Sequence, residues 1–186
     1  MIFLDYLASV IKVSPQLKAQ LQELTDTIEI AKGDSILRIG ERCNDLYFIN
    51  SGLVRGYYYY DGKEVTHWFA REGEFASCFF SFISQVASVE HIEALEPCEL
   101  ICIPYAVLQK LYIDFPETER LGRLLTEAYY IKLENRLLAL KFTDAKARYD
   151  NLLTTNPALL QRAPLGHIAS YLGITPETLS RVRGKY

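Results

Sequence analysis

Hydrophobic positions along this chain change period several times, and each change marks a class of element. Up to about residue 25 the spacing is helical: Leu17, Leu21 and Leu24 recur three and four apart after Ser14-Pro15, a pair suited to opening a helix. From about 26 to 104 short apolar or aromatic runs alternate with glycines at 33, 40, 52, 62 and 73. Turns at such regular spacing predict an all-β sandwich or barrel. Asp61-Gly62 predicts a hairpin between Tyr57–Tyr60 and Val65–Phe69. Strand alternation puts Tyr57 and Tyr59 on one face and Tyr58 and Tyr60 on the other, which favours sheet packing over a platform for stacking bases.

After Pro116 the helical period returns and runs to about 142. Leu121, Leu124, Ala128, Ile131, Asn135, Leu138 and Phe142 alternate three and four apart, a heptad seam of three repeats. Asn135 takes an a-type position, where a polar side chain fixes register and favours a dimer. A second stripe, Leu125, Tyr129, Leu133 and Leu137, lies on another face. A helix with two stripes can pack on its own β domain and on a partner chain. The alternative is a core helix buried on both sides within one chain.

The densest local pattern spans Pro164 to Arg183. Ile168, Leu172, Ile174, Leu179 and Val182 fall where two short helices would share a core, Ala169 is small at their crossing, and Gly173 suits the turn. Thr175 can cap the second helix, Pro176 suits its first turn, and Glu177 suits its positive end. Pro176, Glu177, Ser180 and Arg181 then share the face opposite Leu179 and Val182. This predicts a helix-turn-helix whose second helix enters a DNA major groove. An ordinary helical hairpin closing a domain is the bland alternative.

Charge and composition sharpen that expectation. The 186 residues suit one large domain or two small ones, and 49% hydrophobic residues suffice for a proper core. The net charge of −3 argues weakly against nucleic acid. Its distribution argues the other way: residues 141–186 carry seven Lys/Arg against three Asp/Glu, a net +4, and the remainder is −7. No apolar run approaches a membrane span; the longest, Phe75 to Ile83, is broken by Ser77 and Ser81. The first residues lack the basic region of a signal peptide, so a cytoplasmic protein without membrane contact is expected.

Candidate chemistry is sparse. Cys43, Cys78, Cys98 and Cys102 lack metal spacing and are read as small core or pocket residues. His67, His91 and His167 are scattered, with no acid or nucleophile at a catalytic spacing. Glu93 and His91 would share one strand face, with Glu90 on the other, as a solvated cluster. A β-roll also invites a cupin-like metalloenzyme, but the His and carboxylate cluster it needs is missing. Neither enzyme activity, nor a metal, nor a cofactor is expected.

The order of helix, glycine-punctuated β-roll, long helix and C-terminal helix-turn-helix resembles the cyclic-AMP receptor protein superfamily of bacterial transcription regulators (Crp–Fnr type). The resemblance covers nearly the whole chain. Its most specific pieces are Asp45–Gly52, similar to the family's early roll hairpin; Gly73-Glu74-Phe75, similar to the strand entering its phosphate-binding cassette; and Ile174–Arg181, similar to its recognition helix. The resemblance implies an α+β chain. A β-roll effector domain with N-terminal helices occupies 1–115, a dimerisation helix 116–142, and a helix-turn-helix domain 143–186 with a short or missing wing. The chain stops at Tyr186, either naturally or by trimming.

The resemblance also assigns residues. Glu177 and Arg181 fall on base-contacting positions, which suits Glu accepting from cytosine N4 and Arg donating twice to guanine. Thr175 falls near a phosphate contact, and Pro176 replaces a residue often polar or basic in relatives. Ser180 shares their face, while Arg183, Lys185 and Lys146 can serve the DNA backbone. Leu121, Leu124, Ala128, Ile131, Asn135 and Leu138 would form the dimer seam. Gly73, Glu74, Cys78, Ser88 and Val89 mark the candidate effector pocket. There the cyclic-nucleotide pattern fails, because its ribose carboxylate falls on Cys78 and its Arg-Ser pair on Ser88-Val89. Glu90 and Glu93 would repel a phosphate, and nothing in the sequence aims Arg55 or Arg71 at the pocket. Cyclic AMP is therefore not expected to bind tightly. The apolar segment Phe75 to Val89 either lines a pocket for another ligand or fills the roll.

The expected protein is a homodimeric regulator of double-stranded DNA, with an unidentified small-molecule effector and RNA polymerase as further candidate partners. The alternative from another class is a β-roll interaction module that does not bind DNA.

Overall fold

A computed structural model describes residues 2–184 of the chain. Two compact units emerge, one comprising Met1–Gly56 with Phe69–Thr126, the other Tyr57–Trp68 with Glu127–Tyr186.

The first unit opens with α1 (Ile2–Val10) and α2 (Pro15–Leu24). Ser14 caps α2 by accepting from the Leu17 N–H at 3.1 Å, and Pro15 fills the first turn, where a missing N–H costs nothing. Then follow β1 (Asp26–Ile30), β2 (Ser35–Leu37), β3 (Asp45–Ser51), β4 (Leu53–Tyr60), β5 (Lys63–Arg71), β6 (Phe75–Ala76), α3 (Phe79–Ser84), β7 (His91–Ala94) and β8 (Cys98–Pro104). The strands form two four-stranded sheets, ordered β1-β8-β3-β6 and β2-β7-β4-β5. The turn spacing predicted an all-β sandwich or barrel and the family resemblance a β-roll; two antiparallel sheets are what form. Leu46, Phe48, Ile49, Leu53, Ile92, Leu100 and Ile101 are buried in them. Phe48 sits against Phe3 and Phe75 with ring centroids 5.1 Å apart in each pair, which ties α1 to the sheet. Gly52 turns β3 into β4 at φ +106°, where a Cβ would lie 2.4 Å from Cys98 Sγ.

After β8 come α4 (Tyr105–Asp114) and α5 (Pro116–Phe142). The predicted long helix is therefore present over its expected range. Its first turns belong to the first unit: Leu121 is buried, lining an apolar cavity of about 40 Å³ with Leu17, Leu21 and Leu111.

The second unit contains the later part of α5, then α6 (Ala145–Thr155), α7 (Leu159–Arg162), α8 (Leu165–Tyr171) and α9 (Pro176–Arg183). Asp144 caps α6 by accepting from the Ala147 N–H at 2.8 Å. Ile168, Ala169, Leu172, Leu179 and Val182 are buried where α8 and α9 meet, with Tyr149 and Leu152 of α6 also buried. Gly173 makes the turn at φ +65°, and its N–H and that of Ile174 reach back to the Ser170 and Ala169 carbonyls at 3.0 Å each. The helix-turn-helix is thus formed by the residues that predicted it. The tips of β4 and β5 belong to this unit too, and Tyr57 and Tyr59 share a face as expected, their rings 5.9 Å apart.

Candidate functional site

α9 begins where its sequence says it should. Thr175 has extended dihedrals, its hydroxyl accepts from the Thr178 N–H at 3.2 Å, and Pro176 occupies the first turn. With Leu179 and Val182 buried, the helix presents Thr175, Pro176, Glu177, Ser180, Arg181 and Arg183 to solvent. Lys185 lies outside the described residues. The Glu177 carboxyl is held below its ordinary range by the backbone N–H at the helix start, by the Thr175 side chain and by the charge of Arg181. Its acceptor form is therefore the one present at neutral pH. Arg181 lies one turn on, its Nη2 3.4 Å from Thr178 Oγ1. Lys146 is engaged with Asp150 at 2.6 Å.

The predicted seam divides along α5. Leu121 is buried in the first unit and Leu124 is half-buried, while Ala128, Ile131, Asn135 and Leu138 are exposed. Leu121 is thus spent on the chain's own core, and the open part of the seam begins at Ala128. Ile131 is 58% exposed and Phe142 78%, and on the second stripe Leu133 and Leu137 are exposed too. Within its unit the helix is not the two-sided core helix that was the alternative. A groove of about 840 Å³ runs along this face, lined by Ile131, Asn135, Leu138 and Phe142 of α5 and by Arg148 and Asn151 of α6.

In the roll, Cys78 and Ser88 meet. Both are buried, Ser88 Oγ lies 3.3 Å from Cys78 Sγ, and the Ser88 hydroxyl donates to the Glu90 carbonyl at 2.7 Å. Cys43 Sγ lies 3.2 Å from Ser77 Oγ, and the Ser81 hydroxyl accepts from the Cys43 N–H at 2.9 Å. These thiols and hydroxyls satisfy one another, and burial pushes both the Cys78 and Cys43 thiols up. Gly73 and Glu74 form the turn between β5 and β6, where Glu74 accepts from the Arg71 N–H at 3.1 Å. Val89 is 62% exposed and takes no part in the buried cluster.

Two expectations in this region need correction. The acidic pair does not lie on a solvated surface: Glu90 is buried, and Glu93 pairs with Arg55 at 2.6 Å. A buried guanidinium demands such a counter-charge, which strand alternation alone does not reveal. Arg55 is accordingly an interior residue, its charge met by Glu93. Nor does the segment 75–89 simply fill the roll, because Phe82 is buried but Phe80, Ile83, Val86 and Val89 face solvent. α3 turns half of that apolar run outward.

Sequence reasoning missed a set of contacts at the end of α8. Arg136 Nη2 donates to the Tyr171 carbonyl at 2.9 Å with its guanidinium 3.9 Å from the Tyr171 ring centre, and Arg148 Nε donates to the Leu172 carbonyl at 2.8 Å. No spacing signal announces partners 35 and 24 residues apart.

Comparison with known proteins now bears on this geometry. The pattern of the family "Cyclic nucleotide-binding domain" matches residues 27–114. Electron transport regulator A of Shewanella oneidensis is 26% identical over 183 residues, covering 90% of this chain and 72% of that protein. The fumarate and nitrate reduction regulatory protein of Vibrio cholerae is 26% identical over 185 residues, covering 91% and 73%. The fold is that of FixK2 from Bradyrhizobium japonicum (TM-score 0.75, 20% identity, 87% of this chain and 83% of that one). It is also that of a crp/fnr-family transcriptional regulator from Eubacterium rectale (TM-score 0.70, 19% identity, 91% and 81%).

The chain has the fold of the Crp–Fnr regulators.

A cyclic phosphate needs a cation and aligned donors. In the buried cluster a thiol and a hydroxyl, Cys78 and Ser88, contact each other, while the buried Arg55 is already neutralised by Glu93. Those residues do not fit a cyclic nucleotide. Among the described residues no group of three or more His, Cys, Asp and Glu side chains could hold a metal, and no helix is long and apolar enough to cross a membrane.

Proposed function

We propose that this chain is a homodimeric, DNA-binding transcription regulator, working in the cytoplasm and not as an enzyme, whose roll does not read cyclic AMP. The observation that carries the reading is α9: a capped helix whose apolar side closes a three-helix core while Glu177, Ser180 and Arg181 stand free of it. Such a helix can lie in a major groove with Arg181 on a guanine edge and Glu177 on a cytosine amino group. Thr175, Pro176, Arg183 and Lys185 would border the phosphates. The excess of positive charge after residue 140 supports attraction to the duplex.

Ala128, Ile131, Asn135 and Leu138 on α5 would meet their counterparts in a second copy, which would present two recognition helices to two half-sites. RNA polymerase is a further partner under this reading. An effector, if the roll takes one, would be a small molecule lacking a phosphate. The rival reading, a β-roll interaction module, gives no role to the exposed face of α9.

The test is titration of a selected duplex with wild-type and Arg181→Ala protein. Loss of a base contact should weaken specific binding by about 1–3 kcal/mol and relax preference at one position. Equal affinity for both proteins would remove the assignment.

A further inference from the structure

β5 is the outermost strand of its sheet, so among the described residues one of its edges has no strand neighbour. Backbone N–H and C=O groups on such an edge need partners. At Glu64 and Thr66 the partner is a side chain of the helix-turn-helix. The Thr66 N–H donates to Ser170 Oγ at 2.9 Å, and the Ser170 hydroxyl donates to the Glu64 carbonyl at 3.3 Å. One hydroxyl therefore accepts from residue i+2 and donates to residue i of the same edge, the spacing at which a neighbouring strand would pair. Ser170 stands in for the missing strand.

The position of Ser170 gives this contact its consequence. Ser170, Tyr171 and Leu172 end the first helix of the motif, and each is gripped from a different element: Ser170 by β5, Tyr171 by Arg136 of α5, and Leu172 by Arg148 of α6. The last carbonyls of a helix have no partner within it and carry its negative pole, so two arginines suit the place. The turn that follows is short and bonded back onto the same residues, Gly173 N–H to the Ser170 carbonyl at 3.0 Å and Ile174 N–H to the Ala169 carbonyl at 3.0 Å. Thr175 then caps α9. Fixing the end of α8 fixes the start of the recognition helix.

We propose that the β4–β5 hairpin is a strap that holds the helix-turn-helix by Ser170, and that the strap keeps α9 ordered for DNA. The two strands begin and end in the first unit and reach the second only with their tips, Tyr57–Trp68. This inference deepens the DNA-binding reading by naming what holds the same site in place, and it rests on that reading.

The experiment is hydrogen exchange of the free full-length protein, paired with DNA titration, for wild type, Ser170→Ala and Ser170→Thr. Ser170→Ala removes both hydrogen bonds to β5, so the Thr66 amide and the amides of α9 should exchange faster, and specific DNA affinity should fall by about three- to tenfold. Ser170→Thr keeps the hydroxyl and should restore both readouts, which a merely packed side chain would not require. Unchanged exchange at Thr66 and α9 in Ser170→Ala overturns the strap. Faster exchange with unchanged or higher DNA affinity overturns its role in holding α9 for DNA. If wild type and Arg181→Ala bind DNA alike, the DNA reading itself has failed, and the exchange arm still decides whether Ser170 straps α9.

Discussion

Ser88 Oγ lies 3.3 Å from Cys78 Sγ, both side chains buried in the roll. A site whose polar groups are already paired with each other offers little to an incoming anion. Cyclic AMP should therefore give no saturable rise in melting temperature. A ligand at a hundredfold excess over its Kd would stabilise the fold by about 2.7 kcal/mol, a shift easily seen by calorimetry. Such a shift with cyclic AMP would contradict the reading of Cys78 and Ser88.

The exposed part of the seam makes its own prediction. Ile131→Asp and Leu138→Asp would place a carboxylate in a helix–helix interface, where an unpaired charge is strongly unfavourable. Either variant should sediment as a monomer at concentrations where wild type is a dimer. Leu121→Ala should instead lower stability without selectively dissociating the dimer, because Leu121 lies in the core of the first unit. Large-to-small changes at such positions cost about 2–5 kcal/mol.

His67 supplies a pH dependence. Burial, and secondly the charge of Arg136, holds its imidazole below the ordinary value of 6.5. The folded chain thus resists protonation, while the unfolded chain takes up the proton freely. Stability is fully present above pH 6.5 and declines as pH falls below it through the folded value. Denaturant midpoints measured at neutral and mildly acidic pH should show this decline, and His67→Gln should flatten that part of the profile. An unaltered slope in the variant would assign the dependence elsewhere.

Gly52 tests the roll. Its φ of +106° disfavours any side chain, and a Cβ there would come within 2.8 Å of the Pro97 carbonyl oxygen as well as meeting Cys98. Gly52→Ala should lose at least about 1–3 kcal/mol from backbone strain alone, read as a lower melting temperature. A neutral substitution would mean that the β3–β4 turn can relax, contrary to this geometry.

What the sequence disclosed was local. Apolar period, turn glycines and the Ser14, Thr175 and Pro176 cap signals act over a few residues, so the roll, α5 and the helix-turn-helix could be read from them. Gly173 and Ala169 revealed the turn because that turn tolerates few alternatives. The contacts that join distant segments left no such trace. Arg55 finds Glu93, and Ser170 finds Glu64 and Thr66, across separations no periodicity encodes. Alternation set Glu90 on the face opposite His91 and Glu93, as found, but could not say that this face is the buried one. α3 was hidden because six residues are too few for a helical period to emerge from an apolar run.

The central claim is that α9 reads DNA from a dimer. Selection of bound duplexes from a randomised pool by the purified protein, at low and moderate salt and beside Arg181→Ala, tests it most directly. The account predicts an enriched near-palindrome with half-sites about one helical turn apart, and loss of preference at one position of each half-site in the variant. Absence of any enrichment at either salt, or the same enriched sequence from both proteins, would contradict it.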